Sequence, residues 1–483
     1  MSEISNERIV TFSSKLNYGI GQIAEGLKNT SFNLFLLFYY NHVLGVRPEW
    51  CGAALAIALI FDAVSDPLAG SLSDNWRSRW GRRHPFMYAS AIPLGIAFYF
   101  LFSPPELSEF GLFLWLLSFA VLTRAAMTLY HVPHIALGAE MTNHFEERTV
   151  IVSFRMAFGY IGGMLTALIG FMLFFAASPE FPNGQLNPDA YSPFALLLSI
   201  LMVITIIISA QGTLKELPYL PKLPDNQPKV NLWEILVRVF TDTWQAIKNK
   251  SFRWLFLGVL IVFIMVGVDN ALNLYVNTFF WELTPNQIMI FTIAAIFGVV
   301  LGTMFTARLH KYLDKRPAVM FGTAWWALLQ IIPIVLRLLD MFPENGTDTL
   351  FYTLVSIKFI QGVGVAQALV SFNSMMADVV DEHELRTHRR QEGIFFGAVA
   401  FSGKAASGVG IFLAGLAINF IQWPEGARTA DEIPADTLFS LGVVYGQPIC
   451  KPAARNVIKK AASATVKHIT PRAETTNPVR TRV

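Results

Sequence analysis

Two aspartates four residues apart, Asp62 and Asp66, interrupt an otherwise apolar stretch, FDAVSDPLAGSLSD. On a helix that spacing puts both carboxylates on one face. Such a pair can offer oxygens to a small hard cation such as Na⁺, or share a proton. The bland alternative is that Asp66, beside Pro67, caps a kink or pairs with a nearby base. Lys404 lies in a second apolar stretch, FSGKAASGVG. A buried lysine needs an anionic partner, which those carboxylates or an acidic substrate group would supply. Otherwise it snorkels to the nearer end of its helix. Arg155, in VSFRMAFGYIGG, can donate paired hydrogen bonds to hydroxyls or a carboxylate, or anchor the opening of its helix. Glu25 and Lys28 are three apart and can pair with each other. His131, in TLYHVPHIALGAE, is a residue type that titrates near neutral pH, although a lone histidine in a bundle is more often a hydrogen-bonded core residue. Arg124 lies two turns before it on the same face and has no evident role. Asp269, Asn270 and Asn273 are further polar candidates. No nucleophile–base pair, metal-ligand cluster or phosphate loop is evident, so an enzyme is not expected. The glycines at Gly408–Val409–Gly410 lie inside an apolar helix and do not point to a nucleotide.

The elements that must position these residues are long and apolar. Of 483 residues, 53% are hydrophobic and 15% charged, with 40 Phe and 11 Trp. Soluble domains carry about 25% charged residues, so two or three soluble domains are excluded and an all-α polytopic membrane protein is expected. A span needs roughly 20 mostly apolar residues. Spans are read near 16–42, 50–72, 86–104, 110–136, 151–177 and 194–211, then near 252–281, 286–307, 317–338, 348–376 and 393–421. The chain thus divides into a six-helix bundle over 1–211, a polar linker over 212–250, and a second bundle over 251–446 with five helices and a partial sixth. Gly159 and Gly163, and Gly403 and Ser407, are four apart, a spacing for close helix packing. With only Cys51 and Cys450, no disulfide framework is available.

Alternate loops collect Arg77, Arg79, Arg82, Arg83, Arg148, Arg308, Lys311, Lys315, Arg316, Arg386, Arg389 and Arg390, and the linker adds Lys215, Lys222, Lys229, Lys248 and Lys250. The opposite loops hold little beyond Arg47 and Arg428. That bias predicts a cytoplasmic N-terminus and linker. The first span contains Glu25 and Lys28 and lacks a small-residue cleavage site, so no signal peptide is read. Two bundles joined by a polar linker are the layout of a rocking transporter with its site between the halves.

The stretch GSLSDNWRSRWGRRHPF, Gly70 to Phe86, resembles the loop 2–3 signature of the major facilitator superfamily, with a short insertion before GRR. With FDAVSDP before it, it is similar to the glycoside–pentoside–hexuronide:cation symporter family, the melibiose-permease relatives. KLNYGIGQ, ALGAEMTNHFEERTVIVSFR and MADVVDEHELRTHRRQEGIFFGAVAFSGKAASGVG agree, and the resemblance covers about residues 15–446. It implies a major facilitator fold of two six-helix bundles with alternating access, coupled to Na⁺, Li⁺ or H⁺. It matches Asp62, Asp66 and Thr128 to the cation site, a candidate Na⁺ site, and Lys404 and Arg155 to the helix 11 lysine and the helix 5 arginine near the sugar. Asp74, Arg82 and Arg83 match a cytoplasmic charge latch. The chain departs from the melibiose branch at Gly26, where a sugar-binding acid is expected and Glu25 is adjacent. It departs again at His131, where another acid is expected, and at Ile135 and Leu369, where tryptophans are expected. Substrate contacts are therefore assigned to Glu25, His131, Arg155 and Lys404, and an α-galactoside held by those acids and rings is disfavoured. His131 favours H⁺ coupling, and the retained acid pair keeps Na⁺ open.

The expected function is cation-coupled symport of a sugar, glycoside or sugar acid across the cytoplasmic membrane. The alternatives are a carrier of an amphiphile such as a lysolipid, or a non-transporting membrane receptor. No cofactor beyond the coupling ion is expected. The expected partners are a small-molecule substrate and the bilayer, with no nucleic acid, and the chain is read as a monomer. One feature does not fit. Residues 447–483 carry eight Lys or Arg and one acid, a charge of +7, which leaves the other 446 residues at −4 against a total of +3. This polar tail follows LFSLGVVYG, where a twelfth span should continue, and its composition predicts disorder. A shifted reading frame or a truncation just after Gly446 is the expected origin, with an anchor for anionic lipid as the alternative.

Overall fold

The computed structural model describes residues 9–142, 144–220, 232–310, 312, 314–387, 392–424 and 426–446. The tail 447–483, with Lys222, Lys229, Lys311, Arg389 and Arg390, lies outside the described residues. The described chain is helical, with no strand among those residues. In the first half, α1 (Phe12–Ser31), α2 (Pro48–Asp74), α3 (His84–Leu101), α4 (Glu109–Glu140), α5 (Phe145–Leu168) and α6 (Tyr191–Thr213) run up and down. The second half holds α7 (Leu232–Lys248), α8 (Lys250–Tyr275), α9 (Pro285–Leu309), α10 (Lys315–Leu338), α11 (Asp348–Thr387), α12 (Glu392–Phe420) and α13 (Ala435–Gly446). Wider π-type turns extend α1 to Val43, α5 to Phe174 and α8 to Phe280.

Ten helices among the described residues are long and apolar enough to cross a membrane. The first helix, with its extension, is long enough but more polar, because it carries Lys15, Glu25 and Lys28. Local signals set the starts. Pro48 and Pro285 occupy first-turn positions where the missing N–H costs nothing. Ser108 caps α4, and Thr284 with Gln287 forms a reciprocal capping box on α9.

The two halves repeat one packing pattern. In the first, α1 packs on α5 and α6, α2 on α4, and α3 on α4 and α6. In the second, α8 packs on α12 and α13, α9 on α11, and α10 on α11 and α13. Glycines set the closest crossings. A Cβ on Gly26 of α1 would overlap the Gly159 carbonyl oxygen of α5, with the Gly162 Cα beside it. The equivalent place in the second half puts Gly267 of α8 against the Ser407 carbonyl and the Gly410 Cα of α12. The four-residue spacings in α5 and α12 therefore mark close helix crossings. Across the halves, α2 packs on α12 and α5 on α9.

Three expectations change in detail. The linker is not only a polar connection: 232–248 forms α7, which packs on α2, α8 and α12. The fifth helix starts at Phe145, so Arg155 lies about three turns inside it rather than at its opening. The partial last span forms α13, 12 residues against the 23 of its counterpart α6. At 1.5 Å per residue it reaches about 18 Å, little more than half of a roughly 30 Å hydrocarbon core.

Candidate functional site

Asp62 and Asp66 lie near the middle of α2 and face α4 and α12. Thr128 Oγ1 of α4 is 2.9 Å from Asp62 Oδ1 and 3.0 Å from Asp66 Oδ1. Ser65 Oγ donates to the same hydroxyl at 3.3 Å. A hydroxyl carries a single hydrogen, so Thr128 fully serves one carboxylate at a time. The other oxygen faces it without a proton of its own until a proton or a cation arrives. Lys404, from α12 of the other half, reaches Asp62 Oδ2 at 3.0 Å and also pairs with Asp66. The lysine is therefore held inside the bundle, and snorkelling to the helix end is ruled out. Asp62 is buried, with 8% of its side chain exposed, whereas Asp66 and Lys404 keep about a third open.

Arg124, whose role was not legible in the sequence, completes this cluster. Its Nη1 donates to Asp62 Oδ2 at 3.1 Å, and its guanidinium lies 4.9 Å from the Phe32 ring centre. Its Nε is buried with no hydrogen-bond partner. The four-residue steps from Arg124 to Thr128 in α4 and from Asp62 to Asp66 in α2 were the available signal. They place two donors opposite two acids.

Two adjoining cavities of about 360 Å³ each lie here, and the cluster lines one of them. The first is lined by Lys28, Asn33, Asp62, Arg124, Asn270 and Lys404, among others. The second is lined by Gln22, Gly159, Arg155 and Tyr160. Glu25, Asn29 and His131 line both. Glu25 does not pair with Lys28: it accepts from Gln22 Nε2 at 3.1 Å and from Asn29 Nδ2, and no ion pair joins it to Lys28. Gln22 Nε2 also lies 3.2 Å from His131 Nε2, so the ring accepts there and carries its proton on Nδ1. Arg155 reaches the second cavity with no hydrogen bond or ion pair described. All four expected substrate residues, Glu25, His131, Arg155 and Lys404, thus line one or both cavities. A further space of about 280 Å³ runs from Asp66 and Lys404 to Asp242 and Thr243 of α7. Asp269 instead accepts from Gln330, and Asn273 contacts Asn277 and Tyr445, so these two are held inside the second half.

The basic loop between α2 and α3 closes on one acid that sequence reasoning missed. Arg83 is 5% exposed; it pairs with Asp74, meets Glu140 at 2.6 Å and donates to Ser73 Oγ at 2.6 Å. Arg82 meets Glu140 at 2.8 Å. Glu140 ends α4 in ALGAEMTNH, so the latch joins the ends of α2 and α4 to the start of α3. At the opposite end the halves are joined directly. Tyr275 Oη donates to Asn41 Oδ1 at 2.6 Å and Gln185 Nε2 to Thr278 Oγ1 at 3.0 Å. His42 Nε2 donates to the Ala427 carbonyl at 2.8 Å while its Nδ1 accepts from Trp423 Nε1 at 3.1 Å. Phe38, Tyr275, Phe279 and Trp423 pack around that ring.

Residues 17–450 match the family described as MFS/sugar transport protein. An uncharacterized symporter of Synechocystis sp. is 28% identical over 87% of each chain. The sodium-dependent lysophosphatidylcholine symporter 1-A of Danio rerio is 24% identical over 87% of this chain and 80% of its own. Among solved structures, a point mutant of the nucleoside transporter NupG superposes with a TM-score of 0.61 at 14% identity, covering 94% of this chain and 98% of that one. That likeness shows the fold, two major facilitator bundles. The chain is a multi-pass membrane transporter rather than an enzyme, and it belongs to the MFS/sugar transport protein family.

Proposed function

We propose that this chain is a cation-coupled symporter of a sugar, glycoside or sugar acid, working by alternating access in a cytoplasmic membrane. Its basic end would face the cytoplasm, because Arg77, Arg82, Arg83, Arg148 and Lys315 cluster there while the opposite loops hold little beyond Arg47 and Arg428. The observation that carries the reading is Lys404 bridging Asp62 and Asp66 across the two halves. A Na⁺ or H⁺ arriving at the acid pair and Thr128 competes with that lysine. Neutralising an acid loosens the bridge, so ion binding changes how the halves are held. Coupling needs only that each ligand binds better when the other is present. The cavities beside the pair, about 360 Å³ each, lie within the range of small-molecule sites. With the basic end toward the cytoplasm, the seal at the opposite end would correspond to an inward-facing state.

The test is uptake by proteoliposomes over a sugar panel, with Na⁺ and pH gradients varied separately. Asp62→Asn and Asp66→Asn are expected to abolish gradient-driven accumulation while the protein still inserts. Full accumulation by both variants would remove the acid pair from the coupling site. A lysolipid carrier is the second reading, favoured by the likeness to a lysophosphatidylcholine symporter. Competition by lysolipid and not by sugars would support it.

A further inference from the structure

Lys28 is a buried lysine that the coupling scheme does not use. It sits in the last turn of α1, before the extension to Val43, with 4% of its surface exposed. Among the described residues it has no ion pair and no hydrogen bond, only the Phe32 ring 5.9 Å from its Nζ. Every acid in its cavity is engaged elsewhere. Glu25 is held by Gln22 and Asn29, Asp62 by Arg124 and Lys404, and Asp66 by Lys404. Two side-chain amides share the cavity with it, Asn33 from the first half and Asn270 from the second, and neither has a described hydrogen bond. Glu25 and Asp62 act on Lys28 through space, but neither makes an ion pair with it and both are shared with other donors. A buried ammonium held this way is costly and persists where something completes its counter-charge.

The charge balance of the two cavities leans the same way. Glu25, Asp62 and Asp66 face Lys28, Arg124, Lys404 and Arg155. The lining already carries one more base than acid, and a coupling cation adds another positive charge. An anionic cosubstrate with one negative group brings the excess back to a single charge.

We propose that Lys28 is an anion-receiving site, and that the transported molecule presents one negative group to it while Asn33 and Asn270 donate from opposite halves. This rests on the transport reading and narrows its substrate to an anion: a carboxylate, sulfonate or phosphate on a small polar molecule or on a lipid headgroup. Because the amides come from both halves, the same anion also bridges the halves.

The test uses the full chain, purified and reconstituted, with matched probes: neutral hexosides and pentosides against the corresponding uronates, and neutral monoacylglycerol against the anionic lysophosphatidylglycerol. Binding is read as ligand-induced thermal stabilisation, and transport as counterflow. Wild type is expected to prefer an anionic probe to its neutral partner at least tenfold. Lys28→Met erases that preference and Lys28→Arg retains part of it. The unliganded Lys28→Met protein is expected to melt close to wild type, since Lys28 makes no direct ion pair or side-chain hydrogen bond, so a folding defect would be visible. A Lys28-dependent preference for uronate assigns a sugar acid, and one for lysophosphatidylglycerol assigns the lipid. Equal responses to neutral and anionic probes, including none to either, overturn the proposal, as does a preference that survives in Lys28→Met. Lys28-dependent binding without counterflow overturns the transport reading and leaves the anion site standing. Counterflow of neutral sugars without an anion preference does the reverse.

Discussion

At the scale of single residues, the site is crowded with charge. Asp62 Oδ2 already meets Arg124 and Lys404, at 3.1 and 3.0 Å, so a mobile cation arrives beside two tethered ones. Two unit charges 4 Å apart interact by about 4 kcal/mol at an effective dielectric constant of 20. Arg124 is therefore a competitor for the ion as well as a support for Asp62. In Arg124→Gln the mobile cation regains that place. Binding of the coupling ion is expected to tighten at least about tenfold, roughly 1.4 kcal/mol. The cost appears when the ion is absent. Removing one member of a buried pair commonly destabilises by about 3–5 kcal/mol, and Lys404 here remains to moderate it. Melting of Arg124→Gln should thus fall below wild type in ion-free buffer and recover as Na⁺ is titrated in or pH is lowered, whichever ion couples. Cation dependence that weakens or stays unchanged would make the guanidinium part of the ion's own binding frame.

At the scale of elements, the crossings between α1 and α5 and between α8 and α12 set the spacing of the cavity walls. A side chain at Gly162 would meet the Ile23 carbonyl and the Gly26 Cα, both backbone, while one at Gly258 of α8 would meet nothing within 4 Å. Overpacking costs about 1–3 kcal/mol where side chains can give, and more against fixed backbone. Gly162→Leu is expected to lower thermal stability by several degrees and to reduce folded yield, with Gly258→Leu within error of wild type. Equal melting of the two variants would mean that the α1–α5 crossing is looser than described. These crossings also mark what was legible in advance. Gly159 and Gly163 carry a recognisable four-residue spacing, but Gly26 and Gly267 have no glycine four residues away and pair only across space. Asp62, Asp66 and Lys404 could be singled out because charge in an apolar run is costly wherever it sits. Glu140 escaped notice because an acid at a helix end is ordinary in sequence, and its value comes from Arg82 and Arg83 folding back onto it. The helix α7 was hidden inside a stretch judged by its polarity. Its apolar residues, such as Phe240 against Phe401 and the buried Ala246, repeat with helical rather than continuous spacing.

At the scale of the whole molecule, the two halves are locked at one end and bridged in the middle by Lys404. The lock is polar and therefore reversible. His42 donates from Nε2 and accepts at Nδ1, so it joins the Ala427 carbonyl and the Trp423 indole only as the neutral ring. Tyr275 adds its bond to Asn41 from the other half. His42→Phe with Tyr275→Phe removes three hydrogen bonds and keeps an aromatic ring at both positions. At about 1 kcal/mol each, their loss moves the balance between end-closed and end-open states by about two orders of magnitude. A cysteine placed at Asn270, in a background without Cys51 and Cys450, reports which end is open. In the parent it should react with a membrane-impermeant maleimide only from the side of the basic loops. In the double variant, labelling from the opposite side is expected to rise at least tenfold, with folded yield unchanged. Labelling that stays one-sided in a folded double variant would mean that the aromatic cluster of Phe38, Phe279 and Trp423, and not its hydrogen bonds, holds the end shut. The distinction bears on coupling. A polar lock with a free energy of a few kcal/mol can be opened by the binding of one ion and one small-molecule substrate at the centre, whereas a lock made of buried rings would need their whole apolar contact to be undone in each cycle.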